Sequence, residues 1–252
     1  MDTMAWFRDY LQVHAPGGRW SPAADAAVRL CISLYRRTAD AAARQYVIDW
    51  ADSLVSEDAC APDCGKALFF ALEATGEEKY REAAEGVMAA IGREPLDVID
   101  GAETLYRMLP FRMAYEMRLG GMEKVGLVAA KFRAAHGALW DAERGFFGGD
   151  LRGTAYALLA LVDAIDSCAD QLYEHWRALV DMYREVLRGA LAAEQPEGEC
   201  AAMIVWALLA GVRMNLIDPE RYLPIARRRI ASIREQGMKQ AAAMLEMEGD
   251  AL

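Results

Sequence analysis

Almost every stretch of this chain repeats apolar residues at three- and four-residue spacing, the period of a helix with one buried face. No stretch alternates as a strand does, and Pro and Gly fall between the apolar runs, where caps and turns belong. The pattern predicts helices over 4–15, 22–38, 40–55, 64–75, 77–92, 103–119, 122–139, 152–166, 171–192, 199–216 and 219–235, with a last one over 238–248. The links are short and none reads as a domain boundary. Residues 1–252 are therefore expected to form one domain.

Paired helices repeat a common plan. "LYRRTADAAARQYVIDWADSL", "LEATGEEKYREAAEGVMAAI" and "MNLIDPERYLPIARRRIASI" each end an apolar helix, turn through a polar stretch with an acid, and enter an amphipathic helix. Helices such as "KALFFALEA", "GTAYALLALVDAI" and "AAMIVWALLAGVRM" are apolar nearly all round and need burial on most faces. Their partners keep one strongly polar side. An inner ring of apolar helices wrapped by an outer ring of amphipathic ones satisfies both patterns. The predicted fold is all-α: an (α/α) barrel, or toroid, of five to six helical hairpins, the sixth supplied by the terminal helices. A superhelical array of the tetratricopeptide type is the alternative.

Composition narrows the function. A net charge of −10 argues against nucleic-acid and anionic-membrane partners, which need clustered Lys and Arg. The basic run from Ala226 to Arg234 reads as the wet face of one helix. No run has the roughly 18 to 20 apolar residues of a membrane span. The N-terminal stretch "MDTMAWFRDYLQVHA" lacks the basic flank and apolar core of an export signal. Five cysteines, Cys31, Cys60, Cys64, Cys168 and Cys200, form no disulfide framework, so free thiols in the cytoplasm are expected. His14, His136 and His175 are far apart in sequence, and no metal site is expected.

Several segments, in order from about Trp20 to Ile233, resemble the six-hairpin glycosidases. The resemblance is to the unsaturated glucuronyl and rhamnogalacturonyl hydrolases of glycoside hydrolase families 88 and 105. "DCGKALFFALEATGEEKYREAAE" resembles one of their hairpins, and "RWSPAADAAVRLCISLYRRTADAAARQYVIDWADSLVSED" another. "ETLYRMLPFRMAYE" is similar to their Asp-Gly-Leu-Tyr-Met-x-x-Pro-Phe helix, and "RGTAYALLALVDAI" to their Arg-Gly-Asn-Gly-Trp helix. "EGECAAMIVWALLAGVRMNLID" resembles their final inner helix.

The resemblance implies hydrolysis of an unsaturated uronic acid from short oligosaccharides, by acid/base-catalysed hydration and without metal or organic cofactor. Glu103 stands in register with the family's catalytic aspartate, and Asp63 lies near the acid ahead of the second inner helix. Both are expected to be catalytic. Trp20, Asp100, Trp140, Asp150, Arg152, Tyr156 and Glu197 are the expected substrate-binding set. Read from the residues alone, Glu103 also fits an N-terminal helix acid paired with Arg107, and Asp100 an N-cap. The family's His-bearing loop before the catalytic helix has no counterpart in "IGREPLDVIDGAE", and its His-Gly-Trp-Asp segment is not retained. Loss of these loops leaves a second reading: a catalytically degenerate toroid serving as a carbohydrate-binding or protein-interaction module. The expected partner is a small anionic carbohydrate, with no nucleic acid and no membrane, and homodimerisation is left open.

Overall fold

The computed structural model describes residues 3–14, 21–92, 101–168, 172–193, 198–250 and 252. Among these, α-helices dominate: α1 (Thr3–Val13), α2 (Pro22–Thr38), α3 (Ala41–Ser56), α4 (Gly65–Thr75), α5 (Glu78–Ile91) and α6 (Ala102–Arg118). They continue with α7 (Val125–Leu139), α8 (Leu151–Ser167), α9 (Tyr173–Ala192), α10 (Gly198–Arg213), α11 (Pro219–Glu235) and α12 (Lys239–Gly249). A short 3₁₀ turn, Pro62–Cys64, precedes α4.

Local chemistry sets the boundaries. Ser21 caps α2 by accepting the Ala24 N–H at 3.1 Å, with Pro22 opening the helix. Asp40 caps α3 by accepting the Ala43 N–H at 2.9 Å, and Asp218 caps α11 ahead of Pro219. Asp40 also takes Arg8 of α1 at 2.7 Å, and that hydrogen bond is the largest of the influences holding its carboxyl below the usual range.

The helices gather into two compact units, Met1–Arg93 with Glu246–Ala251, and Glu94–Leu245 with Leu252. In the first, α2 packs on α3 and α4, and α5 packs on α4. Asp25 of α2 joins Arg29 at 2.6 Å and Lys66 of α4 at 3.5 Å, so a buried charge cluster links the starts of two adjacent helices. In the second unit α8 lies between α6 and α10, and α7 packs on α6 and α9. The inner and outer roles predicted from polarity hold here. Every residue from Thr154 to Val162 in α8 and from Ile204 to Val212 in α10 is buried, whereas α11 buries only Ala226, Arg229, Ile230 and Ile233.

Tyr183 shows how closely the layers meet. It reaches from α9 to α10, donates its hydroxyl to the Ala207 carbonyl at 3.0 Å, and rests against Gly211. A Cβ at Gly211 would overlap that hydroxyl and come within 2.7 Å of Cζ. Gly211→Ala is therefore expected to destabilise by about 1–3 kcal/mol through overpacking, although alanine favours a helix by about 1 kcal/mol over glycine. A lower urea midpoint would show it, and an unchanged or raised midpoint would refute the close packing.

Two features differ from the sequence expectation. Strands do occur, as a small antiparallel hairpin of β1 (Trp140–Asp141) and β2 (Phe146–Phe147). Asp141 Oδ1 accepts the N–H groups of Glu143 and Arg144 and folds the connecting turn. Helix α10 ends at Arg213 rather than 216, because Asn215 takes a left-handed backbone (φ 57°) and the chain turns back.

Candidate active site

Three helices of the second unit, α6, α8 and α10, bring their first turns together around Arg152. The start of α8 is built from side chain and backbone alike. Asp150 Oδ1 accepts the Gly153 N–H at 2.7 Å as the N-cap. The buried Thr154 hydroxyl accepts the Phe147 N–H at 2.9 Å and donates to the Asp150 carbonyl at 2.7 Å. These bonds fasten the β1–β2 hairpin to the helix start. Gly153 permits the close approach, since a Cβ there would run into the Phe147 carbonyl oxygen.

Arg152 is exposed on this fixed turn, with its guanidinium carbon 5.8 Å from the Tyr156 ring centroid. A hydrogen bond to the Tyr156 side chain is the main cause raising the Arg152 pKa, and the charge of Glu103 adds to it. Glu103 is exposed in the first turn of α6. One turn deeper, the buried Tyr106 packs on the buried Tyr156, ring centroids 5.6 Å apart. That aromatic pair joins the helices carrying the acid and the base. Cys200, in the first turn of α10, completes the group. Burial pushes its thiol pKa up, while the charge of Arg152 pulls it down and that of Asp150 raises it.

The arrangement supplies an exposed carboxyl group able to exchange a proton with a ligand and a guanidinium anchored beside it. A guanidinium matches a carboxylate in two parallel hydrogen bonds. The N-terminal ends of the three helices add positive potential at the same place.

Of the residues expected at the site, Glu103, Arg152 and Tyr156 are brought together, and Asp150 sits beside them as the cap of α8. Asp63 lies in the first unit, buried in the 3₁₀ turn ahead of α4, and accepts the Cys64 thiol at 3.7 Å. Trp140 engages α7 and α9. Its indole N–H donates to Glu185 of α9 at 3.0 Å, its ring stacks on His136, and it rests against Gly189. Trp20, Asp100 and Glu197 lie outside the described residues. Tyr106 and Cys200 belong to the cluster but were not expected there. The sequence signal for Tyr106 is its place three residues after Glu103, on the same helix face. For Cys200 it is the start of an inner helix.

Among the described residues, no group of three or more His, Cys, Asp or Glu side chains is placed to hold a metal ion. No described helix is long and apolar enough to cross a membrane.

No protein-family model matches the chain, and no curated protein matches it. Solved structures do. A glycoside hydrolase of family 105 from C. acetobutylicum aligns with a TM-score of 0.73 and 18% identity, over 91% of this chain and 81% of that one. A family 88 glycosyl hydrolase from Bacteroides vulgatus gives a TM-score of 0.71 and 16% identity, over 90% and 83%. A polysaccharide lyase gives 0.68 and 17%, over 90% and 81%. At such identities the likeness is one of fold, and it spans nine-tenths of the chain in each case. The chain shares the all-α fold of these glycoside hydrolases.

Proposed function

We propose that this protein is a glycoside hydrolase acting on unsaturated uronic-acid-containing oligosaccharides, with the cluster around Arg152 as its active site. The observation that carries the reading is that Glu103 and Arg152 stand in the first turns of the packed helices α6 and α8, near enough for the charge of one to act on the other. One group can move a proton and the other can hold a carboxylate. The fold likeness to glycoside hydrolases of families 105 and 88 supports the reading.

In the proposed reaction Arg152 binds the uronate carboxylate and thereby fixes the adjacent C4=C5 double bond. Glu103, in its acid form, gives a proton to C4, leaving an oxocarbenium ion shared between C5 and the ring oxygen. Water attacks C5 and returns its proton to Glu103, so the carboxyl group ends as it began. The hemiketal opens by breaking the bond between C5 and the ring oxygen, which gives a ketone at C5 and a hemiacetal at C1. That hemiacetal expels the remaining saccharide as an alcohol.

Arg152 should act on binding in proportion to the charge it meets. Losing a hydrogen bond to a charged group costs about 1.5–3 kcal/mol, or roughly 10- to 150-fold in affinity. Arg152→Ala is therefore expected to raise KM by that factor for an unsaturated uronide and to leave its uncharged methyl ester almost unaffected. Turnover is followed as loss of the ultraviolet absorbance of the conjugated uronate. An equal rise for both substrates would remove Arg152 from carboxylate recognition. Absence of turnover on any unsaturated uronide would transfer the chain to the second reading, a carbohydrate-binding module.

A further inference from the structure

Arg152 stands on a fixed turn, but a fixed turn does not orient its guanidinium. The side chain is long and exposed, and among the described residues no carboxylate forms an ion pair with it. A side chain of this kind that becomes ordered only when a ligand arrives weakens binding by about 2- to 13-fold. Holding it in place beforehand removes that loss.

Tyr156 is built to hold it. The tyrosine lies one turn further along α8, so the two side chains share a helix face. The Arg152 guanidinium carbon is 5.8 Å from the Tyr156 ring centroid, within the range of a cation–π contact. The hydroxyl oxygen is the only acceptor on the tyrosine side chain, so the hydrogen bond between the two residues runs from guanidinium N–H to that oxygen.

The tyrosine itself is held from behind. It is 4% exposed, and its ring packs on the buried Tyr106 of α6 with centroids 5.6 Å apart. The anchor of Arg152 is thus part of the packing between α6 and α8. The same burial argues against the substrate-binding role that the family resemblance implies for Tyr156, because little of the ring is left for a sugar to cover.

We propose that Tyr156 is a positioning residue, which holds the Arg152 guanidinium in the orientation that receives a uronate carboxylate and does not itself touch the sugar. The proposal rests on the reading of the Arg152 cluster as a uronide site.

Tyr156→Phe keeps the ring and its packing on Tyr106 and removes only the hydroxyl. It is expected to raise KM for an unsaturated uronide about 2- to 13-fold, with kcat nearly unchanged and the uncharged methyl ester unaffected. In an Arg152→Ala background the same substitution should add nothing, because the hydroxyl then has no guanidinium to hold. A stacking platform makes a different forecast: phenylalanine keeps the ring face, so neither substrate would respond. A merely structural role would lower the Tm and move both substrates alike. A second measurement needs no turnover. Rotation of the Arg152 guanidinium is read from its ¹⁵N resonances, assigned by their loss in Arg152→Ala, and should be restricted in wild type and freed in Tyr156→Phe. Protein that hydrolyses no unsaturated uronide would fail the reading of the site, and the resonances would still decide whether Tyr156 holds Arg152. The proposal is overturned if Tyr156→Phe leaves the uronide KM unchanged, if it affects the ester equally, if its effect persists without Arg152, or if the guanidinium rotates as freely in wild type as in Tyr156→Phe.

Discussion

Glu103→Gln is expected to lower kcat on unsaturated uronides about 10²- to 10⁴-fold, the usual contribution of a positioned general acid–base group. Glutamine keeps the shape of glutamate but has no acidic proton to give, so the chemical step should fail while the fold stands. Helix α6 does not depend on this side chain for its cap. Gly101 occupies the cap position, and no side-chain cap bond is formed there. Binding through Arg152 should survive, so KM should change little, which separates this variant from Arg152→Ala. The competing role for Glu103, an acid placed to suit the helix dipole, makes the opposite forecast. It allows a stability loss of about 0.3–1 kcal/mol and no loss of rate. Absorbance decay and a thermal melt on the same preparation decide between them. Equal rates for wild type and Glu103→Gln would eliminate Glu103 as the proton donor.

The fold was legible because its rules are local. Apolar residues on all sides of the α8 and α10 sequences predict burial from every direction, and the long buried runs in both helices match. Helix starts were legible where capping chemistry is written in the chain, as at Ser21–Pro22, Asp40 and Asp218–Pro219. The β1–β2 hairpin was not, because two-residue strands show no period. The end of α10 was misjudged because Leu216 and Ile217 continue the apolar pattern, and only the left-handed backbone at Asn215 ends it.

The site was legible to the extent that it depends on helix starts. Glu103 and Arg152 both occupy first turns of inner helices, and adjacent inner helices place first turns together. Trp140 depends on a partner distant in sequence. It was expected in the substrate-binding set from the family resemblance, and its indole N–H donates to Glu185, 45 residues further along. Nothing in the local pattern marks that partner. Cys200 reads as one more apolar residue of α10 until the neighbouring helix puts Arg152 within electrostatic reach.

The largest stability effect is expected at Glu248. This carboxylate, in the last turn of α12, is fully buried within the first unit and accepts the Ser33 hydroxyl of α2 at 2.6 Å. Arg37, one turn further along α2, pairs with the same oxygen at 3.3 Å. Glu248 thus ties the C-terminal helix to a serine 215 residues earlier in the chain. Glu248→Ala removes an acceptor shared by two polar partners. Arg37, whose side chain is 19% exposed, already has Nη1 buried without a hydrogen-bond partner, so water is poorly placed to replace the lost acid. Removing one member of a buried ion pair costs about 3–5 kcal/mol, which for a chain of this size corresponds to a Tm lower by about 6–20 °C. Glu248→Gln keeps an acceptor for Ser33 and loses only the charge, so it should fall between wild type and Glu248→Ala. The ordering of three melting curves is the measurement. A Glu248→Ala protein within about 0.5 kcal/mol of wild type, the range of an ordinary surface substitution, would show that α12 is not held by this carboxylate.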